Sequence, residues 1–248
     1  MGNGTNDTFW GDSGFCESKE NVYDIFEMQN YNRVSKGINE KRDTDMSFAV
    51  GLTTKDGIYL AADKRITKHD GTFDDTYQKI AMIPGTNFAV MSTGDHPIGN
   101  TTIKDIIENI KSRDFNGIMG ELEENIIKLN FKGNWKTVFF ICESLRVDNF
   151  DVKNTAFRMI LSKIGYPQKV AIHNSNPFEY FYSGESWAVN LMDSFERKNI
   201  PLNNPEVYLK SLLESIIKIS QECTNTKFIG GGMSILHLTP DGPQWIQK

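Results

Sequence analysis

The spacing of apolar positions changes character at Ser47. Residues 1–45 mix Gly, Asn, Asp, Glu and Ser with scattered aromatics such as Trp10, Phe15 and Tyr23, and hold no sustained period. From Ser47 the run Ser-Phe-Ala-Val-Gly-Leu-Thr reads as a strand, Lys55-Asp56-Gly57 supplies hairpin-turn chemistry, and Ile58 to Ala62 returns as a second strand. Lys79 to Ile83 and Asn87 to Met91, separated by Pro84-Gly85-Thr86, repeat that pattern. Ile103, Ile106, Ile107 and Ile110 then fall at helical spacing, as do Ile118, Leu122, Ile126 and Leu129. Thr137 to Cys142 is strand-like, and further strands are expected near Met159 to Leu161, Lys169 to Ile172 and Glu179 to Tyr182. Two helices, Ser186 to Arg197 and Pro205 to Glu222, precede a last strand from Met233 to Leu238.

Strands, a helix pair, strands, a second helix pair and a strand predict an α+β fold, a four-layer αββα sandwich of two mainly antiparallel sheets. The expected organisation is an N-terminal extension or propeptide over residues 1–46 and a single domain over residues 47–248.

Composition narrows the classes of function. The 248 residues carry 27 basic and 32 acidic side chains, a formal net charge of -5 with no local basic patch, which argues against nucleic acid or an anionic membrane as partner. No apolar run approaches the ~20 residues of a membrane-spanning helix, and Met1 to Glu20 contain no signal-peptide core, so a cytoplasmic protein is expected. Cys16, Cys142 and Cys223 lack the spacing of a zinc or redox motif, and His69, His96, His173 and His237 are isolated. No metal or other cofactor is implied.

From Ser47 to Gly94 the chain resembles a β-type subunit of the proteasome family, the N-terminal-nucleophile hydrolases also classed as threonine proteases. The residues that carry the resemblance are Gly57-Ile58-Tyr59-Leu60-Ala61-Ala62-Asp63-Lys64-Arg65-Ile66-Thr67, then Gln78-Lys79-Ile80, then Ser92-Thr93-Gly94, with weaker echoes in Ser183-Gly184 and Gly230-Gly231-Gly232. The match is to a divergent member, and abundant Asn, Lys and Ile point to an AT-rich, bacterial genome.

Aligned through Asp63, the resemblance places the family's N-terminal nucleophile on Ser47, its lysine on Lys79 and its oxyanion-binding glycine on Gly94. A serine hydroxyl needs a base, and in this family the α-amine of the same residue serves, with an ordinary pKa of about 7.7 to 8.0. That base exists only once the chain begins at Ser47. The resemblance further implies that Lys79, held by Asp63, sets the electrostatics, that Ser183 lies near the amine, that Arg65 braces the site, and that Thr67 pairs with extended substrate. Specificity is expected from Ile66, Tyr77, Ala81 and Ser92, a surface suited to uncharged side chains. A homo-oligomeric ring or related assembly is implied by the same likeness, which leaves open whether an ATPase is a partner.

Blander readings stand beside these. Lys79 and Asp63 also read as a fold-stabilising ion pair, Ser47 as an ordinary strand residue, Gly94 as a turn residue, Gly230-Gly231-Gly232 as a loop and Asp74-Asp75 as a solvated turn. Two departures from the family weigh on activity: Lys227 stands where the family has an acid, with Gly230 in place of a serine, and Met46 precedes the nucleophile where self-processing members carry glycine. Thr224 or Asn225 is a substitute source of hydrogen bonds. Translation from Met46, followed by removal of that methionine, is an alternative route to an N-terminal Ser47. The expected function is a peptidase with an N-terminal serine nucleophile. The alternatives are a catalytically inactive structural subunit and an amidase acting on a small substrate.

Overall fold

Alternation along the strands decides which layer each side chain joins. In β1 (Phe48–Thr53), Phe48, Val50 and Leu52 turn one way, and in β2 (Ile58–Asp63), Ile58, Leu60 and Ala62 turn the other, with every position of both strands buried. Strands buried on both faces need cover on both sides, and a four-layer arrangement supplies it. The computed structural model describes residues 47–68, 71–94, 103–128, 136–148, 151–162, 168–172, 179–196, 204–224 and 227–248, all within the unit Thr44–Lys248.

The remaining elements are β3 (Ile66–Thr67), β4 (Phe73–Asp74), β5 (Ile80–Met82), β6 (Phe88–Gly94), α1 (Ile103–Ile107), α2 (Phe115–Lys128), β7 (Lys136–Arg146), β8 (Val152–Ser162), β9 (Gln168–Ile172), β10 (Tyr180–Gly184), α3 (Ser186–Glu196), α4 (Pro205–Cys223), β11 (Met233–Thr239) and β12 (Gly242–Gln247). One sheet runs β10-β1-β2-β11-β12 and the other β5-β6-β7-β8-β9, and every pairing is antiparallel. A small ribbon of β3 and β4 stands apart from both.

Between the sheets lie Ile58, Leu60, Ala62, Met91, Val138, Phe140, Cys142, Phe181 and Leu236. The outer face of the first sheet packs Phe48, Val50 and Leu52 under Ala188 and Met192 of α3 and Leu209, Leu212, Leu213 and Ile216 of α4. The outer face of the second sheet packs Val90, Phe139 and Ile141 under Ile103, Ile106, Ile107, Ile118 and Leu122. This is the expected αββα sandwich. Helix α4 starts where its sequence says it should: the Asn204 side chain accepts a hydrogen bond from the Val207 N–H, and Pro205 occupies the first turn.

Several elements differ from the sequence expectation. The predicted helix through Ile110 ends at Ile107, and Leu129 lies outside the described residues. Strand β8 is far longer than Met159 to Leu161, because the polar half from Lys153 to Thr155 stays in register with β7. There the buried Asn154 accepts from the Ser144 hydroxyl and donates to the Thr54 carbonyl. The ribbon strands β3 and β4, two residues each, and the Pro-containing β12 carry too little pattern to be read from sequence.

Gly51 makes the inter-sheet layer possible at β1. A Cβ there would fall 1.9 Å from the Phe181 ring, which packs against Phe140 at 5.2 Å between centroids. Gly51→Ala is expected to lower stability by about 1–3 kcal/mol, the range for overpacking a filled core, measured as a fall in the urea midpoint at unchanged m-value.

Candidate active site

One end of the sandwich gathers four strand termini. Ser47 precedes β1, Asp63 ends β2, Lys79 precedes β5 and Gly94 ends β6, so the two sheets contribute equally. Asp63 Oδ1 and Lys79 Nζ lie 2.6 Å apart with both side chains fully buried. Oδ1 also accepts the Phe48 N–H at 2.9 Å, while Oδ2 accepts the N–H groups of Arg65 and Gly230, each at 3.1 Å. A carboxylate out of reach of water is thus surrounded by donors.

Burial pushes the Asp63 carboxyl above the ordinary aspartate range, against the pull of the Lys79 charge and the hydrogen bonds from Lys79, Phe48 and Gly230. Burial likewise pushes the Lys79 ammonium below its ordinary value, against the attraction of Asp63. The pair is neutral as a unit whichever partner holds the proton, so it tolerates burial where either charge alone would not.

The second bridge between the sheets reaches the candidate nucleophile. The Gly94 N–H donates to Ser47 Oγ at 3.0 Å, and Gly94 sits at φ 97°, a conformation that favours glycine. Ser47 is 1% exposed. Its carbonyl oxygen accepts the Glu185 N–H at 3.0 Å, and Gly184, at φ 148°, lies so close that a Cβ would come within 2.2 Å of that oxygen. Ser183 pairs opposite Ala49, which by strand alternation puts its side chain on the face of the sheet that carries Ser47.

The residues expected to contact substrate are distributed around this end. Tyr77 spends its hydroxyl accepting the Ile103 N–H at the start of α1, at 3.0 Å, and burial raises its pKa. Ile66 is buried in β3, and Ala81 is buried in the core beneath α1 and α2. The Ser92 N–H donates to the Lys79 carbonyl at 2.9 Å, and Ser92 Oγ is buried with no hydrogen-bond partner among the described residues. Thr67 stands opposite Phe73, and the next residue out, Lys68, donates its N–H to the Thr72 carbonyl at 2.8 Å. Antiparallel alternation therefore turns the N–H and C=O of Thr67 away from β4.

Asp75 is the residue that sequence reasoning missed. From an exposed turn it accepts both Nε and Nη2 of Arg65, at 2.6 and 2.7 Å. An acidic doublet in a turn carries no signal of a bidentate partner. Lys227 does not bring a cation against Arg65: its side chain is exposed, and its carbonyl oxygen accepts Arg65 Nη1 at 2.9 Å. Thr224 donates its hydroxyl to the Ser220 carbonyl and accepts the Lys227 N–H, whereas Asn225 and Met46 lie outside the described residues.

Residues 47–117 match the family model for the proteasome subunit, and that span takes in Ser47, Asp63, Lys79 and Gly94. Over that span the chain is similar to proteasome subunits. The chain also shares its fold with the Anbu (Gly-1) mutant from Hyphomicrobium sp. strain MC1, at a TM-score of 0.54 and 14% identity, over 81% of this chain and 88% of that one. No curated protein matches it by sequence. Among the described residues, no helix is long and apolar enough to cross a membrane.

Truncating one partner of the buried pair leaves the other charge stranded. Lys79→Met is expected to destabilise the fold by about 3–5 kcal/mol, and the double variant with Asp63→Leu not to recover that loss, because the Phe48 and Gly230 N–H groups then lose their buried acceptor, as read from urea unfolding of the three proteins.

Proposed function

We propose that this chain is a peptidase of the proteasome type in which Ser47, made N-terminal by loss of residues 1–46, attacks the carbonyl carbon of a peptide bond. The observation that carries the reading is the Gly94 N–H on Ser47 Oγ, next to the buried Asp63–Lys79 pair, on strand ends that converge from both sheets.

On this reading the Ser47 α-amine takes the hydroxyl proton as Oγ bonds to the carbonyl carbon. The carbonyl oxygen becomes an oxyanion, and the Gly94 N–H turns from Oγ towards it, a contact worth roughly 2.7–4 kcal/mol in such sites. The protonated amine then gives its proton to the leaving nitrogen and the C–N bond breaks, leaving an ester on Ser47. Water attacks the ester, its proton passes to the amine and then back to Oγ, and the acid product departs. Lys79 as a cation lowers the proton affinity of the amine, and Ser183 lies on the face where that amine would sit. The outward N–H and C=O of Thr67 suit an extended peptide backbone laid beside β3.

The side-chain subsite of this reading is formed by Ile66, Tyr77, Ala81 and Ser92, which carry no charge and favour uncharged substrate side chains. Subunits of this family typically form oligomeric assemblies, and a ring or related homo-oligomer in the cytoplasm is proposed here on that ground.

Intact mass and N-terminal sequencing of the protein from its native host, with Ser47→Ala and Lys79→Ala beside it, test the reading. The expected result is a native chain beginning at Ser47 that hydrolyses unfolded protein substrates, with longer chains and no hydrolysis in both variants. A chain that begins at Ser47 in all three proteins would assign the cut to another protease or to a start at Met46. A native chain that keeps residues 1–46 would instead favour the non-catalytic structural subunit.

A further inference from the structure

We propose that Asp75, acting through Arg65, is a positioning residue that holds the Gly230 N–H on Asp63 and thereby sets the electrostatics at Ser47. The catalytic half of this inference rests on the function proposed above; the positioning half stands on contacts alone.

Arg65 is clamped from several sides. Asp75 engages it through two parallel N–H···O bonds, the Lys227 carbonyl takes Nη1, and the guanidinium lies 4.5 Å from the centroid of the Phe73 ring. A fork-to-carboxylate pair fixes orientation as well as charge, which a lysine at position 65 would not reproduce. The backbone of the same residue ties the glycine loop to the buried pair: the Arg65 and Lys64 N–H groups donate to the Gly230 carbonyl, and the Arg65 and Gly230 N–H groups both donate to Asp63 Oδ2.

The loop rests directly on the clamp. A Cβ on Gly230 would fall 2.7 Å from Arg65 Cζ, and a Cβ on Gly231, at φ 72°, would fall 2.7 Å from Asp75 Cα. These glycines are therefore more than a connecting loop, because a side chain at either position would lift the chain off Arg65 and Asp75. Asp75 thus touches the loop at Gly231 and grips Arg65, and the two contacts together define where the Gly230 amide points.

The Arg65–Asp75 side chains are 11% and 46% exposed, and a pair with one partner this exposed adds little to global stability. Its effect is expected in local geometry instead. Among the described residues the titratable groups beside Asp63 and Ser47 include Lys79, Lys64, Arg65 and the buried Glu185, whose N–H bonds the Ser47 carbonyl, with Asp75 beyond Arg65. Loss of the Gly230 donor raises the proton affinity of Asp63 and draws the Lys79 proton towards it. A less cationic Lys79 then depresses the Ser47 amine less.

The test uses the full-length chain as the native host processes it, with Asp75→Asn, Arg65→Lys and, as a control, Asp74→Asn, whose carboxylate bonds Thr76 and Lys68 instead. Hydrogen exchange of the Gly230 amide is followed by mass spectrometry. Labelling of Ser47 by diisopropyl fluorophosphate is followed as a function of pH, with the site located by peptide mass. Asp75→Asn and Arg65→Lys are expected to speed Gly230 exchange and to slow Ser47 labelling at neutral pH, each by about 10-fold or more, with the acid limb of labelling moved to higher pH. The urea midpoint should barely move, and Asp74→Asn should match the parent in every readout. Unchanged Gly230 exchange, or an equal effect of Asp74→Asn, would overturn the proposal, as would altered exchange without altered labelling. A parent protein whose Ser47 never reacts would sink the hydrolase reading instead, and exchange would still decide whether Asp75 positions Gly230.

Discussion

A fully buried carboxylate governs this end of the molecule. Asp63 must be met by donors wherever it goes, and the donors come from every neighbouring piece of chain: Lys79 before β5, the Phe48 amide of β1, the Arg65 amide after β2 and the Gly230 amide before β11. Satisfying one side chain therefore fixes the relative placement of the segments that carry Ser47, Lys79 and the glycine loop. Apolar packing holds the sheets together, but it is non-directional and would allow their ends to slide. The ion pair and the Gly94–Ser47 hydrogen bond are directional ties across the same gap, and they set the register of one sheet on the other.

Glycine at the close approaches follows from this crowding. Gly184 admits the Ser47 carbonyl, and Gly94 turns its amide at the Ser47 hydroxyl from a backbone conformation that favours glycine.

Much of this was legible in the sequence, for reasons that differ by residue. Strong strands such as β1, β2 and β6 and the long α4 announce themselves through dense or periodic apolar positions, capped in α4 by Asn204 and Pro205. Asp63, Lys79 and Gly94 could be aligned because they sit within or beside those strands, where spacing is rigid. The ribbon of β3 and β4 and strand β12 were not legible, since so short or Pro-containing a segment pairs through context and not through pattern. Asp75 was hidden for a related reason. Its partner is ten residues away across a ribbon that the sequence does not display, so the doublet Asp74-Asp75 looks the same whether it is solvated or clamped.

The two ion pairs of the site then divide the work by their exposure. The Asp63–Lys79 pair is sealed, so its energetics are large and its proton location is sensitive to each donor on the carboxylate. The Arg65–Asp75 pair is open on the Asp75 side, so its Coulomb energy is screened and its contribution is geometric. The same division accounts for Lys227. A side chain at that position faces solvent, and the atom that touches Arg65 is a backbone oxygen, present whatever residue stands there. Arg65 thus has its carboxylate partner in Asp75, through Nε and Nη2, while the Lys227 carbonyl takes Nη1 on another edge of the guanidinium.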